Sequence, residues 1–394
     1  MTMENTEKYI RCLSLIHLRI STIISIVLIL LLCITSYSCT GTDSDKHVPT
    51  VSIPDAPDAS ASEIIKKLDR VVKLETNDSC IISGLSAIKY DGENICIASR
   101  DQVLLFNNDG KFISKISHRG RGTGEYLYLD DYNFKDGVFY ILSGLQHCIY
   151  CYNIEGRYLN AIKLNDLYYY FDFIDDKIIL SSCTSNGSNY EFVIFNPDIN
   201  TYGPKFCHFD KNKALTVREY NPLNPTSSTN MIYGTALFNY NIFRITEEKC
   251  DTIMKVEFNT KVKDYDIPKD KDYLEFSHEH NNTDFVKYIS HFVATKDYYY
   301  ICYNRFLGFE YGGYNSYLTQ IDKSTLTTKT INMSAMDNEA PYLNRPVLMK
   351  GNLMVTAFYP TLLERVDEAT GKNLVKELDL TMDSNPVLFF YKLK

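Results

Sequence analysis

Tryptophan is absent from this chain, and positive charge is scarce: 41 Lys and Arg stand against 49 Asp and Glu, a net charge of −8. A surplus of acid excludes nucleic acid as a partner, because such binding draws on Lys and Arg set against phosphates. Without Trp, any sugar-stacking surface must be built from the 31 Tyr. Motifs of common chemistries are missing too. No H-E-x-x-H accompanies the histidines, and the glycine-rich stretch Gly120-Arg121-Gly122-Thr123-Gly124 lacks the Lys-Ser/Thr of a P-loop. No catalytic residue, metal-ligand set or cofactor motif is assigned.

What is present is a rhythm. Residues 85–89, 94–98, 102–106 and 112–116 are apolar runs of ordinary strand length. Asp91-Gly92 and Asn107-Asn108-Asp109-Gly110 lie between them and supply turn chemistry. Residues 132–135, 138–142, 148–152 and 158–164 repeat the plan, with turns at Asp136-Gly137 and Glu155-Gly156. Asp91 and Asp136 stand 45 residues apart, a period that suits a propeller blade of four antiparallel strands. Runs such as NICIA and VFYIL do not alternate cleanly, as expected of strands covered on both faces.

Carried along the chain, the rhythm predicts an all-β, six-bladed β-propeller over residues 63–394. Blades three to six fall near 168–206, 231–258, 291–331 and 345–393, with 211–229 as an inter-blade loop. In blade six, 362–367 and 374–380 read as strands, and a short helix is expected at 271–276 or 283–289. Residues 63–75 begin like a helix and end like a strand, which would pair into the last blade and close the ring.

The N-terminus carries an address. Lys8, Arg11 and Arg19 precede the apolar run 20–34, which is followed by Ser36-Tyr37-Ser38-Cys39. A basic segment, a short apolar core and small residues read as a secretory signal peptide over 1–38. The alternative is a membrane anchor, for which the run falls short of about 20 residues. Residues 39–62 are polar and rich in Pro, Ser and Asp, a flexible tether. Of the eleven cysteines, three lie in the N-terminal segment up to Cys39, and most of the other eight sit in strand-like runs as small hydrophobes. Cys148-x-x-Cys151 has a redox or metal spacing, but on a strand such residues point to opposite faces.

The stretch ISHRGRGTGEY, residues 116–126, resembles the G-x-G-x-G-E-Y signature of the six-bladed β-propeller lipoproteins of Bacteroides-type bacteria, whose blades are NHL-like. The ending NPVLFFYKLK and the order of lipobox, tether and ring resemble that family as well. Thr123 replaces its usual Pro. The resemblance implies a lipid on Cys39 and anchorage to the bacterial outer membrane, on its periplasmic or surface face.

Candidate ligand contacts are few. Arg119 and Arg121, with Glu125, form a charged group that could meet an anion, or a network holding an inter-blade crossing. Tyr311, Tyr314 and Tyr317, in YGGYNSY, are expected to form an exposed aromatic surface for a glycan or an envelope protein. His278-Glu279-His280 reads as a solvated loop, and the pairs Asp130-Asp131 and Asp175-Asp176 as residues of strand edges and turns, without calcium-loop spacing. The expected role is non-catalytic binding or scaffolding, with a propeller hydrolase or lyase as the alternative. A cluster of His, Asp and Glu at the channel mouth would favour the enzyme.

Overall fold

The computed structural model describes residues 48–85, 87–182, 189–208, 221–236, 239–260, 283–307, 313–335 and 340–394. The strands form six sheets, each built on four antiparallel strands from an inner to an outer position. Blade one comprises Ile88–Tyr90, Asn94–Ser99, Gln102–Asn107 and Phe112–Ile116. Blade two follows with Asp131–Lys135, Val138–Ser143, Cys148–Asn153 and Tyr158–Lys163, and blade three with Tyr170–Ile174, Lys177–Ser181, Tyr190–Asn196 and Thr201–His208. Blade four is Leu223–Pro225, Ile232–Ala236, Asn239–Ile245 and Cys250–Phe258. Blade five is Phe285–Ala294, Tyr298–Phe306, Tyr314–Asp322 and Thr328–Asn332. Blade six has Pro346–Lys350, Leu353–Phe358 and Val387–Leu393, and its outer strand is Ile65–Lys73 from the N-terminal side. The inner strands meet in ring order, with blade six touching blade one. The structure is thus a six-bladed β-propeller.

Packing explains the unpatterned strands. Six apolar clusters occupy the six interfaces between neighbouring blades. Alternate side chains of one strand enter different clusters. Ile95 and Ile97 face blade six, while Cys96, between them, faces blade two. A blade is therefore apolar on both faces, with no polar side for period-two reading to find.

The residues expected to be a tether are partly built into the ring. Thr50–Ile53 adds a fifth strand, parallel to Cys250–Phe258, on the rim of blade four. The chain then crosses blade five, where Asp58 exchanges bonds with the Thr330 backbone and Glu63 meets Lys329 at 2.8 Å. Arg305 locks the crossing: its guanidinium is held by Asp284 and donates to the Asp55 carbonyl at 2.8 Å. Residues 48–73 are thus a strap over three blades, and the propeller takes in the chain from Val48 rather than from residue 63.

Four expected elements change type. Residues 362–367 belong to a helix, Pro360–Thr370, and Leu374–Glu377 is a second short helix. Pro360 is preset for the first helical turn, and Gly371 ends the helix with φ +69°. Leu363 and Val366 bury one helix face against the cluster between blades five and six. Residues 285–289, one of the two places expected to be helical, open the inner strand of blade five. Phe285, Val286 and Ile289 enter the cluster shared with blade four or are buried beside it. The other place, 271–276, lies outside the described residues. Leu223–Pro225, expected within a loop, is the inner strand of blade four.

Antiparallel connectivity sorts the connections by end. Turns such as Asp91-Gly92, Asp136-Gly137 and Asp175-Asp176 lie at one end of the ring. Blade-to-blade crossings, the second-to-third-strand connections and both helices of blade six attach at the other. The described connections at the first end are tight, and the longest ones leave from the second.

Candidate functional site

Two places combine charge with a defined geometry, the central channel and the glycine-rich crossing. Inner strands are edge strands, and their channel-facing N–H groups need partners. The sequence supplies those partners from neighbouring blades. Asp131 accepts the Phe171 N–H at 3.0 Å, and Asn224 accepts the Phe292 N–H at 2.9 Å. Asn133 donates to Asp172 at 2.9 Å, whose other oxygen lies 3.4 Å from Lys89 Nζ. Tyr132 donates to the carbonyls of Ala87 and Cys96. Blades one, two and three are thereby pinned through side chains.

Around Lys89, Asn133 and Asp172 lies a cavity of about 100 Å³, with Asp91, Asn94, Pro225 and Lys350 on its walls. It opens toward the tight-turn end, where Asp91 caps its own turn through the N–H groups of Glu93 and Asn94. That volume is small beside ordinary ligand pockets of roughly 300–1,000 Å³. Burial pushes the Asp131 carboxyl up to about 6, against the pull of Lys89 and the Phe171 and Tyr132 N–H groups. Burial works against the Lys89 ammonium, but the Asp172 and Asp131 carboxylates more than offset it and hold it above its ordinary range. Among the described residues, no group of three or more His, Cys, Asp and Glu side chains is arranged to hold a metal ion. Chemically, the cluster is an internal charge network with room for small polar guests.

Lys89, Asn133 and Asp172 were not among the residues singled out from sequence. Their signal is slight: one polar residue in the middle of each short apolar run, in IKY, DYNFK and YFDFI. Asp131, expected at a strand edge or turn, opens the inner strand of blade two and is buried. Asp130 accepts the Gly144 N–H at 2.8 Å, and Asp175 sits in a turn bonded to Thr229.

The glycine-rich crossing joins blade one to blade two and is bound internally. Glu125 accepts the Gly122 N–H at 2.7 Å, and Arg119 pairs with Asp101 at 2.6 Å. Tyr126 is buried and donates to the Asp101 carbonyl at 2.6 Å. The Tyr152 hydroxyl donates to the Gly124 carbonyl, and the His118 ring stacks on Tyr152 at 5.2 Å. Gly124 has φ +75° and lies against the Tyr158 ring. Arg119 and Glu125 are thus tied into the loop, while Arg121 projects to solvent.

The aromatic surface expected at YGGYNSY is divided. Tyr314 opens a strand and is 46% exposed, edge-on to Phe285. Tyr317 is only 6% exposed and stacks on Tyr303 at 5.4 Å, so it belongs to the core. Strand geometry sets this difference, since Tyr317 sits inside the pairing with Tyr303. Tyr311, Cys39 and His278-Glu279-His280 lie outside the described residues. Cys148 and Cys151 are both buried, and burial pushes the Cys151 thiol up to about 12, which does not suit redox work.

Comparison with known proteins agrees with this architecture. A family model described as a domain of unknown function, DUF4934, matches residues 48–392. No curated protein matches the chain. A Bacteroides fragilis crystal structure described as an exported protein is similar at TM-score 0.69 and 16% identity, covering 88% of this chain and 99% of that one. A member of the DUF4221 family from Bacteroides vulgatus is similar at TM-score 0.54 and 7% identity, over 83% of this chain and 97% of that one.

Proposed function

The chain belongs to the DUF4934 family, and from that premise we propose that it is a cell-envelope protein acting as a non-catalytic binding or scaffold propeller. In this reading Cys39 carries the lipid that holds it to the outer membrane, and a glycan or envelope protein is bound at the end bearing the long connections. One observation carries the reading: the charged side chains of the channel are engaged with one another and with backbone N–H groups, while the longest connections and the helical insertion share one end. A rigid scaffold with elaborated loops at one end is how propellers and barrels commonly build recognition surfaces. The exported character of the similar Bacteroides fragilis protein supports an envelope address, and the N-terminal basic and apolar segments support it independently.

The test is a thermal-shift panel of glycans and divalent ions, with capture from envelope extract in parallel. Stabilisation by a glycan, or capture of one envelope protein, that is lost in Tyr314→Ala and unaccompanied by turnover is the expected result. Turnover of a glycan or lactone abolished by Lys89→Met would replace this reading with the hydrolase or lyase one.

A further inference from the structure

Among the cysteines of the described residues, two stand apart. Cys80, Cys96, Cys148, Cys151 and Cys302 are buried, whereas Cys207 and Cys250 are both partly exposed. Cys207 lies near the end of the outer strand of blade three, and Cys250 opens the outer strand of blade four. Their sulfur atoms are 3.8 Å apart, beside Phe206 and Ala236 in the apolar cluster between these blades. Cys207 adopts a left-handed backbone with φ +55°, unusual for a residue with a side chain. We propose that Cys207 and Cys250 form a disulfide that covalently joins the rims of blades three and four.

Sulfur in a disulfide lies about 2.05 Å from its partner, so closure needs an approach of under about 2 Å, within reach of side-chain torsions on partly exposed strand ends. One thiolate attacks an external disulfide compound such as oxidised glutathione and releases one thiol. The second cysteine then displaces the other half, forming the Sγ–Sγ bond. Two electrons and two protons leave the protein, and the external disulfide departs as two thiols. The neighbouring Cys250 and burial hold the Cys207 thiol above its ordinary range, so closure accelerates as the pH is raised. The bond would extend what the strap does. The N-terminal strap already spans blades four, five and six, and this link adds blade three to the same continuous rim.

The test is to equilibrate the purified full-length protein with excess oxidised glutathione, alkylate, digest and map by mass spectrometry. The expected product is a cross-linked pair of peptides containing Cys207 and Cys250. Cys80, Cys96, Cys148, Cys151 and Cys302 should be alkylated only after unfolding. The cross-linked protein should melt several degrees above the reduced one, and Cys207→Ser and Cys250→Ser should each abolish both effects. Recovery of Cys207 and Cys250 as free thiols, as stable glutathione adducts, or bonded to other cysteines would overturn the proposal. Mapping of the unsubstituted protein decides the matter even where a serine variant fails to fold.

Discussion

At the scale of the residue, two titrating groups on inner strands, the half-buried His291 and the buried Asp131, act in opposite directions. Burial and then the charge of Arg345 lower the His291 imidazole to about 3. An unfolded chain takes up that proton near pH 6.5, so between 6.5 and 3 the unfolded state binds more protons and acid removes stability. Asp131, raised to about 6, holds its proton where an unfolded carboxyl has lost it, so acid adds stability between about pH 6 and 4. Urea midpoints measured from pH 7 to 4 should therefore fall less steeply in His291→Gln than in the parent, and more steeply in Asp131→Asn. Identical slopes in all three proteins would remove both assignments. None of this could be read from sequence, because burial of one Asp or one His depends on which blade closes over it. The polar residues placed amid apolar runs were visible, but their convergence requires the ring.

Single elements follow local chemistry more closely. Turn residues at Asp91-Gly92, Asp136-Gly137 and Glu155-Gly156 mark hairpins found in the structure, and strands flanked by them were legible from sequence. The helix Pro360–Thr370 was missed because Leu362, Leu363 and Val366 also suit a strand, and four-stranded blades had set the expectation. Its signals were Pro360 at the start and Gly371 at the end. Two glycines separate backbone strain from crowding. Gly371→Ala meets open space and should cost about 1 kcal/mol through its positive φ alone. Gly124→Ala adds a Cβ 2.6 Å from the Tyr158 ring to a similar φ and should cost clearly more. Chemical denaturation of the two variants checks the order, and equal losses would mean that the Tyr158 ring yields freely.

For the whole molecule, the sequence period was enough to count blades, because each interface repeats one packing problem with new side chains. Ring closure was expected from the strand-like end of residues 63–75, and the strand is Ile65–Lys73. The continuation of the strap across blades four and five was not legible, since Pro, Ser and Asp suit a tether as well as an extended chain lying on a rim. Removing residues 48–73 should leave Val387–Leu393 as a bare edge and expose Val51- and Val72-facing clusters. Size-exclusion chromatography should then find aggregates, and a synthetic 48–73 peptide added during refolding should restore the monomer. A truncated protein that stays monomeric with an unchanged Tm would show that the strap is dispensable. The strap also has a mechanical consequence. Thr50–Ile53 lies along the rim with its hydrogen bonds running across the strand direction. A tug from the N-terminal side, along the strand, loads those bonds together in shear instead of peeling them one at a time. The load therefore enters the ring first at blade four, and only once those bonds part does it reach the Arg305 clamp and the Ile65–Lys73 ladder.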